Sequence, residues 1–300
     1  LSQSSGQALI RSQHFLPYSQ VQIRSFEERL AEAGSAARKP RIEQHPIDRH
    51  SPPDRPNAEL FHGYRLTKPL FTGGMSEAYI AHRESDGVEV FVKRVRVQSR
   101  EKGALEREAS IYDRLLRFES AHIANVLDFV HDTQYVTLVT ECADGGDLQS
   151  FVDGSSSGHG LTPEDAKKIG LKIASALKEF HGYDVVHRDL KPQNVLKFGD
   201  VWKVADFGIA KNVSRPVTQR TFQQHGTLGY AAPEQFQGVN AHASADVYAF
   251  GKILVFLLTG QTDVDLVAYT NWSALIKRCI ATKPDDRPTI DEVIKELSGI

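Results

Sequence analysis

The chain has 300 residues, with 36 basic and 38 acidic side chains and a formal net charge of −2. That balance removes the global electrostatic case for a nucleic-acid or acidic-membrane partner. With 40% apolar and 25% charged residues, the chain has an ordinary globular make-up and is long enough to bury a sizeable core.

Two cysteines, Cys142 and Cys279, cannot form a disulfide framework and suit a reducing compartment, so a cytoplasmic domain is expected. The longest apolar run, "ILVFLL" at 253–258, is too short to span a bilayer and predicts a buried helix. The first residue is Leu1 and the sole methionine is Met75, so a natural start is expected upstream, with any targeting or membrane-tethering segment.

In chain order, residues 1–59 are rich in Ser, Gln, Arg and His and end in the proline-spaced "HPIDRHSPPDRP". They predict a largely flexible extension and linker. Val21, Ile23, Phe26, Leu30 and Ala33 make one short apolar stripe within it, a marginal helix or a docking helix. From residue 60 the pattern becomes regular. "LFTGGMSEAYIA", 70–81, predicts strand–loop–strand, and the pair Gly73–Gly74 alone fits an ordinary hairpin turn as well as a phosphate-covering loop. In the register G-x-G-x-x-G-x-V the positions read Phe71, Gly73, Ser76 and Ala78, so only the middle glycine is kept. "GVEVFVKRVRV" and "FVHDTQYVTLVTE" are β-branched and aromatic, as strands are. Between them "ALEREASIYDRLLRF" places Leu105, Ala109, Tyr112 and Leu116 near helical spacing. A helix is predicted from Thr162 at the cap, through Pro163, Glu164 and Asp165 in the first turn and the apolar face Ile169, Ile173, Leu177 and Phe180, to a stop at Gly182. Strands first and helices later predict an α+β pair of lobes with a cleft between them.

The decisive stretches are "VVHRDLKPQNVL", 185–196, and "KVADFGIAK", 203–211, joined by "VFVK", "EREAS", "GTLGYAAPE", "SADVYAFG" and "KPDDRPT". In this order and spacing the chain resembles the eukaryotic-type (Hanks-type) Ser/Thr protein kinase family, in its bacterial-like form, from about Tyr64 to Ile300. The resemblance implies a bilobal α+β fold. Its small β-rich lobe, residues 60–142, carries one long helix, its larger helical lobe is residues 143–300, and the ATP cleft lies between them. It also implies transfer of the γ-phosphoryl group of Mg-ATP (Mn²⁺ being possible in place of Mg²⁺) to protein Ser/Thr hydroxyls, including the chain's own.

What the resemblance implies residue by residue follows the charge of the triphosphate. Lys93 contacts the α- and β-phosphates and is fixed by Glu108. Asp189 orients the substrate hydroxyl or takes its proton, and Lys191 contacts the transferred group and marks the Ser/Thr branch. Asn194 and Asp206 are the two metal-binding side chains, short oxygen ligands suited to Mg²⁺. Leu70, Gly73, Gly74, Ser76, Ala78, Phe91 and Leu196 surround the nucleotide. Thr140 is a small gatekeeper, Glu141 to Ala143 form the hinge, and Asp147 reaches the ribose. Thr227 bonds both Asp189 and Lys191. Thr218 and Thr221 are candidate phosphosites that Arg188 would pair with, although unmodified hydroxyls account for them equally. Glu234 pairs with Arg287, Asp246 holds the catalytic-loop backbone, and His187 and Phe207 join an internal stack.

Three departures stand out. Phe91 replaces the family's small alanine while Ala78 replaces its valine, which suggests a partial exchange of volume around the adenine. Phe71 replaces the first lid glycine. Only "QTDVDLVAYTN" follows Gly260 before the helix "WSALIKRCI", so the family's inserted docking helix is expected to be reduced. Two other readings stand beside an active enzyme. One is a pseudokinase acting as a nucleotide-responsive binding module. The other makes residues 1–59 the functional, partner-docking part.

Overall fold

The computed structural model describes residues 60–72, 76–96, 116, 119–131, 134–155, 160–206, 229–237, 242–262 and 270–300. The expected apolar stripe in residues 1–59 and the helix expected over 104–118 lie outside the described residues, Leu116 and its turn excepted.

Six strands form one antiparallel sheet: β1 (Leu60–Phe61), β2 (Tyr64–Thr72), β3 (Ser76–Arg83), β4 (Glu89–Arg96), β5 (Val126–His131) and β6 (Tyr135–Glu141). Their order is β1-β2-β3-β4-β6-β5. Period-two alternation gives the sheet two different faces. One carries Tyr64, Leu66, Ala81, Val90, Val92 and Val139, which pack with Phe61 into a small core of their own. The other carries Ala78, Ile80, Phe91 and Lys93. Lys93, set between Val92 and Arg94 on β4, is therefore placed by register on the face that the small core leaves out.

The second half is helical: α1 (Leu148–Asp153), α2 (Pro163–Gly182), α3 (Ala243–Thr259), α4 (Thr270–Cys279) and α5 (Ile290–Gly299). A two-stranded hairpin, β7 (Val195–Phe198) with β8 (Val201–Val204), interrupts them. Its two-residue turn places Gly199 at φ 55°, a left-handed conformation that glycine adopts without steric cost. The start of α2 follows its local chemistry, with the Thr162 side chain accepting from Asp165 N–H and Pro163 opening the helix. Its apolar face, Ile169, Ile173, Leu177 and Phe180, is buried, and the helix ends at Gly182 as predicted.

The run 253–258 is wholly buried in α3, the central helix of the main core. Gly251 lets that helix lie close to α4, because a Cβ there would meet Cys279 Cβ at 2.7 Å. No helix among the described residues is long and apolar enough to cross a membrane. Helix α3 ends at Thr259 and α4 begins at Thr270, two residues before the start read at Trp272; residues 263–269, where the reduced insertion is expected, lie outside the described residues.

Candidate active site

Residues 185–194 lead from α2 to β7 and hold most of the motif side chains. The segment is irregular, so its backbone groups need partners from elsewhere. The Asp246 carboxylate, 1% exposed in the first turn of α3, supplies two of them: it accepts from His187 N–H at 2.8 Å and from Arg188 N–H at 2.9 Å. His181 Nε2 lies 3.0 Å from the same carboxylate. His187 is fully buried, edge-on to Phe180, with Nε2 3.1 Å from the Ala205 carbonyl. These contacts agree with the backbone-holding role expected for Asp246, whereas the Phe207 side of the stack expected for His187 lies outside the described residues.

The loop delivers Asp189, Lys191 and Asn194 to one place. The Asn194 side-chain amide donates to the Asp189 carbonyl at 2.8 Å, and its Nδ2 stands 3.5 Å from Asp189 Oδ2. Lys191 Nζ is 3.5 Å from that oxygen. The Asn194 carbonyl accepts from Ala205 N–H at 2.8 Å, which sets the end of β8 beside the loop. The next residue, Asp206, has φ 56°, a conformation that Asp tolerates better than most side chains. Across the cleft, Lys93 Nζ on β4 donates to Asp206 Oδ1. Burial pushes the Asp206 carboxyl upward, but the Lys93 charge and hydrogen bond outweigh it and, with His187 and Lys191, hold the group below the usual carboxylate range. Asp206 is therefore ionised at neutral pH.

The sheet wall above this cluster is set by register. Ala78 pairs with Lys93 on β4 and with Phe71 on β2. Phe91 lies one same-face position along, opposite Ile80 and the buried Thr140. The small residue is thus bracketed by two phenylalanines on the Lys93 face, and its nearest cross-strand replacement for lost volume is Phe71 as much as Phe91. Phe71 and Leu70 are both about half exposed.

At the end of β6, Glu141 bonds through its backbone and carboxylate to Asn125, with Asn125 N–H donating to Oε1 at 2.7 Å. Lys203 Nζ donates to the same oxygen at 2.7 Å. Lys203 pairs with Leu196 across the β7–β8 hairpin, so the expected floor residue of the nucleotide and the cation tied to the hinge share one face. Sequence reasoning assigned Glu141 and Leu196 but missed Lys203. The signal available was alternation in "VWKV", where a lysine sits on one face between two buried neighbours, Trp202 and Val204. Asp147 caps α1, accepting from Ser150 N–H and Ser150 Oγ, so any ribose hydroxyl would share those acceptors. Ala143, expected in the hinge, is half-buried, and Ser76 opens β3.

Farther from the cleft, Glu234 and Arg287 form the expected pair, two-pronged at 2.6 and 2.8 Å. Arg287 also donates to the carbonyls of Ala281, Ser244 and Thr282, and its guanidinium lies 5.0 Å from the Tyr248 ring centroid. The Glu234 carboxyl is pushed up by burial and more than brought back by the Arg287 hydrogen bond, to a value below the usual range. Gly73, Gly74, Glu108, Phe207, Thr218, Thr221 and Thr227 lie outside the described residues.

A family model described as "Protein kinase domain" matches residues 64–271. The chain belongs to the protein kinase family. It is 32% identical to the serine/threonine-protein kinase PkaA of Streptomyces coelicolor over 272 residues, covering 78% of this chain and 49% of that protein. It is 30% identical to the serine/threonine-protein kinase PrkC of Bacillus subtilis over 208 residues, covering 67% of this chain and 31% of that one. The chain thus spans half or less of these two curated relatives. A crystal structure of the Mycobacterium tuberculosis PknI kinase domain superposes with a TM-score of 0.65 at 22% identity, covering 81% of this chain and 98% of that one. The bilobal α+β kinase fold expected from the motifs is the fold of this kinase domain.

Proposed function

We propose that residues 60–300 are a catalytically active serine/threonine kinase domain using Mg-ATP, with a small lobe of 60–142 and a large lobe of 143–300. The observation that carries this reading is the convergence of Lys93, Asp189, Asn194 and Asp206 from β4, the catalytic loop and the end of β8, joined by the Lys93–Asp206 and Asn194–Asp189 contacts. A protein that only binds nucleotide does not need all four.

The donor set fits a hard divalent cation. Asn194 turns its amide nitrogen to the Asp189 carbonyl, which leaves its side-chain oxygen as an acceptor, and Asp206 is an ionised carboxylate. The donors this reading assigns to the metal, on Asn194 and Asp206, are oxygens, and oxygen donors suit Mg²⁺. Asn194 and Asp206 would hold the metal, which would supply positive charge to offset that of the phosphates. Lys93 binds the α- and β-phosphates. Asp189 accepts a hydrogen bond from the substrate Ser or Thr hydroxyl, orients its oxygen toward the γ-phosphorus and takes up its proton as the bond to phosphorus forms. The bond from that phosphorus to the β–γ bridging oxygen breaks, and ADP leaves. Lys191, beside Asp189, offsets charge on the moving phosphoryl group. Leu70, Gly73, Gly74, Ser76, Ala78, Phe91, Thr140, Glu141, Ala143, Asp147 and Leu196 are the nucleotide-binding positions in this reading. Thr218 and Thr221, with Arg188, remain the proposed regulatory positions, and Thr227 the proposed partner of Asp189.

The test is incubation with labelled ATP and Mg²⁺ beside the variants Lys93→Met and Asp206→Asn. Label on serine or threonine of the chain or of a generic protein, lost in both variants, is expected. Nucleotide binding without transfer by the wild type would instead support a nucleotide-responsive binding module.

A further inference from the structure

Arg188 precedes the proposed catalytic Asp189 and has φ 65°. This left-handed conformation disfavours a residue with a long side chain, so surrounding contacts must hold it. Its N–H is held by Asp246 at 2.9 Å. Its carbonyl is held by a residue the motif reading passed over: Gln235 Nε2 donates to Arg188 O at 3.1 Å, across 47 positions of sequence. The carbonyl of residue 188 and the N–H of residue 189 belong to one rigid peptide plane. On its other edge, Asp189 N–H donates to His187 Nδ1 at 3.3 Å. Gln235 and His187 therefore fix the two edges of the plane from which the Asp189 side chain departs.

The other end of the Gln235 amide is also engaged. Its Oε1 accepts from Ala232 N–H at 2.9 Å, in the "AAPE" stretch directly before the short 3-10 turn Pro233–Gln237. One side chain thus spans two backbones. One carries Asp189, and the other lies at the C-terminal end of the segment between Asp206 and Glu234. The Glu234–Arg287 pair beside it anchors the turn from which Gln235 projects.

We propose that Gln235 is a positioning residue for phosphoryl transfer, holding the Arg188–Asp189 peptide plane in register with the Ala232 backbone. The proposal rests on the reading of Asp189 as the hydroxyl-orienting group. Gln235 touches neither nucleotide nor the reacting atoms in this scheme. Its loss should tilt Asp189 relative to the incoming hydroxyl and leave the nucleotide wall, built from β2 to β6 and β7, undisturbed. The effect should fall on kcat with the KM for ATP unchanged.

Two variants of similar length separate positioning from simple packing. Gln235→Met keeps the length and loses both hydrogen bonds. Gln235→Glu keeps the acceptor for Ala232 N–H but, ionised at pH 8, offers Arg188 O no donor. Steady-state kinetics on a Ser/Thr peptide at pH 8 should show kcat lowered about tenfold in both, the scale of one or two lost hydrogen bonds. The KM for ATP should stay within twofold of wild type. A folded Gln235→Met or Gln235→Glu with wild-type kcat would overturn the inference, as would a loss confined to the KM for ATP. If Gln235→Met does not fold, Gln235→Glu alone decides between these outcomes. An inactive wild type would overturn the kinase reading and this inference together; an active wild type matched by both variants would overturn only this one.

Discussion

Breaking the Glu234–Arg287 pair gives a stability prediction that is independent of activity. The Arg287 side chain is 0% exposed and that of Glu234 12%, so Glu234→Ala would strand a guanidinium that water cannot reach. Removing one partner of such a buried pair costs about 3–5 kcal/mol. Here the lower end applies, because Arg287 keeps three carbonyl acceptors and the Tyr248 ring. A loss of about 3 kcal/mol in a domain of this size lowers the thermal midpoint by roughly 6–12 °C. Glu234→Gln, which keeps one neutral acceptor, should lose about half as much. Urea unfolding followed by circular dichroism measures both. A loss under about 1 kcal/mol for Glu234→Ala would refute the reasoning, since it would mean that the carbonyls alone satisfy the guanidinium.

The same pair makes a pH prediction. The folded-state Glu234 carboxyl lies below its ordinary value, so its contribution is complete above the unfolded carboxylate range and is lost as pH falls through the folded value. The stability gap between wild type and Glu234→Gln should therefore be constant near neutrality and close below about pH 4.5, measured by urea melts at stepped pH. A gap that widens on acidification contradicts the assignment. At the proposed hinge, Lys203→Met removes the cation from Glu141 while Asn125 N–H remains bonded. The expected result is an ATP KM raised about fivefold with kcat within twofold, the scale of one partly buried ionic hydrogen bond. An unchanged KM would refute it. For the nucleotide wall, Phe91→Ala beside Ala78 leaves an oversized slot, and calorimetry should show ATP bound about three- to tenfold more weakly, the scale of lost apolar contact. Much tighter binding by the variant would mean that Phe91 occupies the adenine slot.

What was legible in the sequence follows the range of each signal. The start of α2 could be read because Thr162, Pro163, Glu164 and Asp165 act within one turn. The strands could be read because their β-branched and aromatic composition is a local signal, and the burial of residues 253–258 followed from an unbroken apolar run. Asp189, Asn194, Asp206 and Lys93 were legible only through their motif order, since nothing local in "VFVK" states that its lysine will meet a carboxylate 113 positions later. The Lys203–Glu141 and Gln235–Arg188 contacts had no such motif. They join residues 62 and 47 positions apart and depend on how the β7–β8 hairpin and the turn at Pro233–Gln237 are carried on the core. The pairing of Ala78 with Phe71 needed the strand register, including the irregularity between Pro69 and Phe71, which alternation alone does not give.

The most direct test compares wild type with Asp189→Asn at saturating Mg-ATP, reading labelled phosphoserine and phosphothreonine in the chain and in a generic protein substrate. Asn keeps the shape and the backbone contacts of Asp189 but cannot take up the hydroxyl proton. The account predicts phosphoamino acids from the wild type, a loss of at least about a hundredfold in the variant, and ATP affinity within about twofold of wild type. Equal transfer by both proteins, or none by a nucleotide-bound wild type, would contradict it.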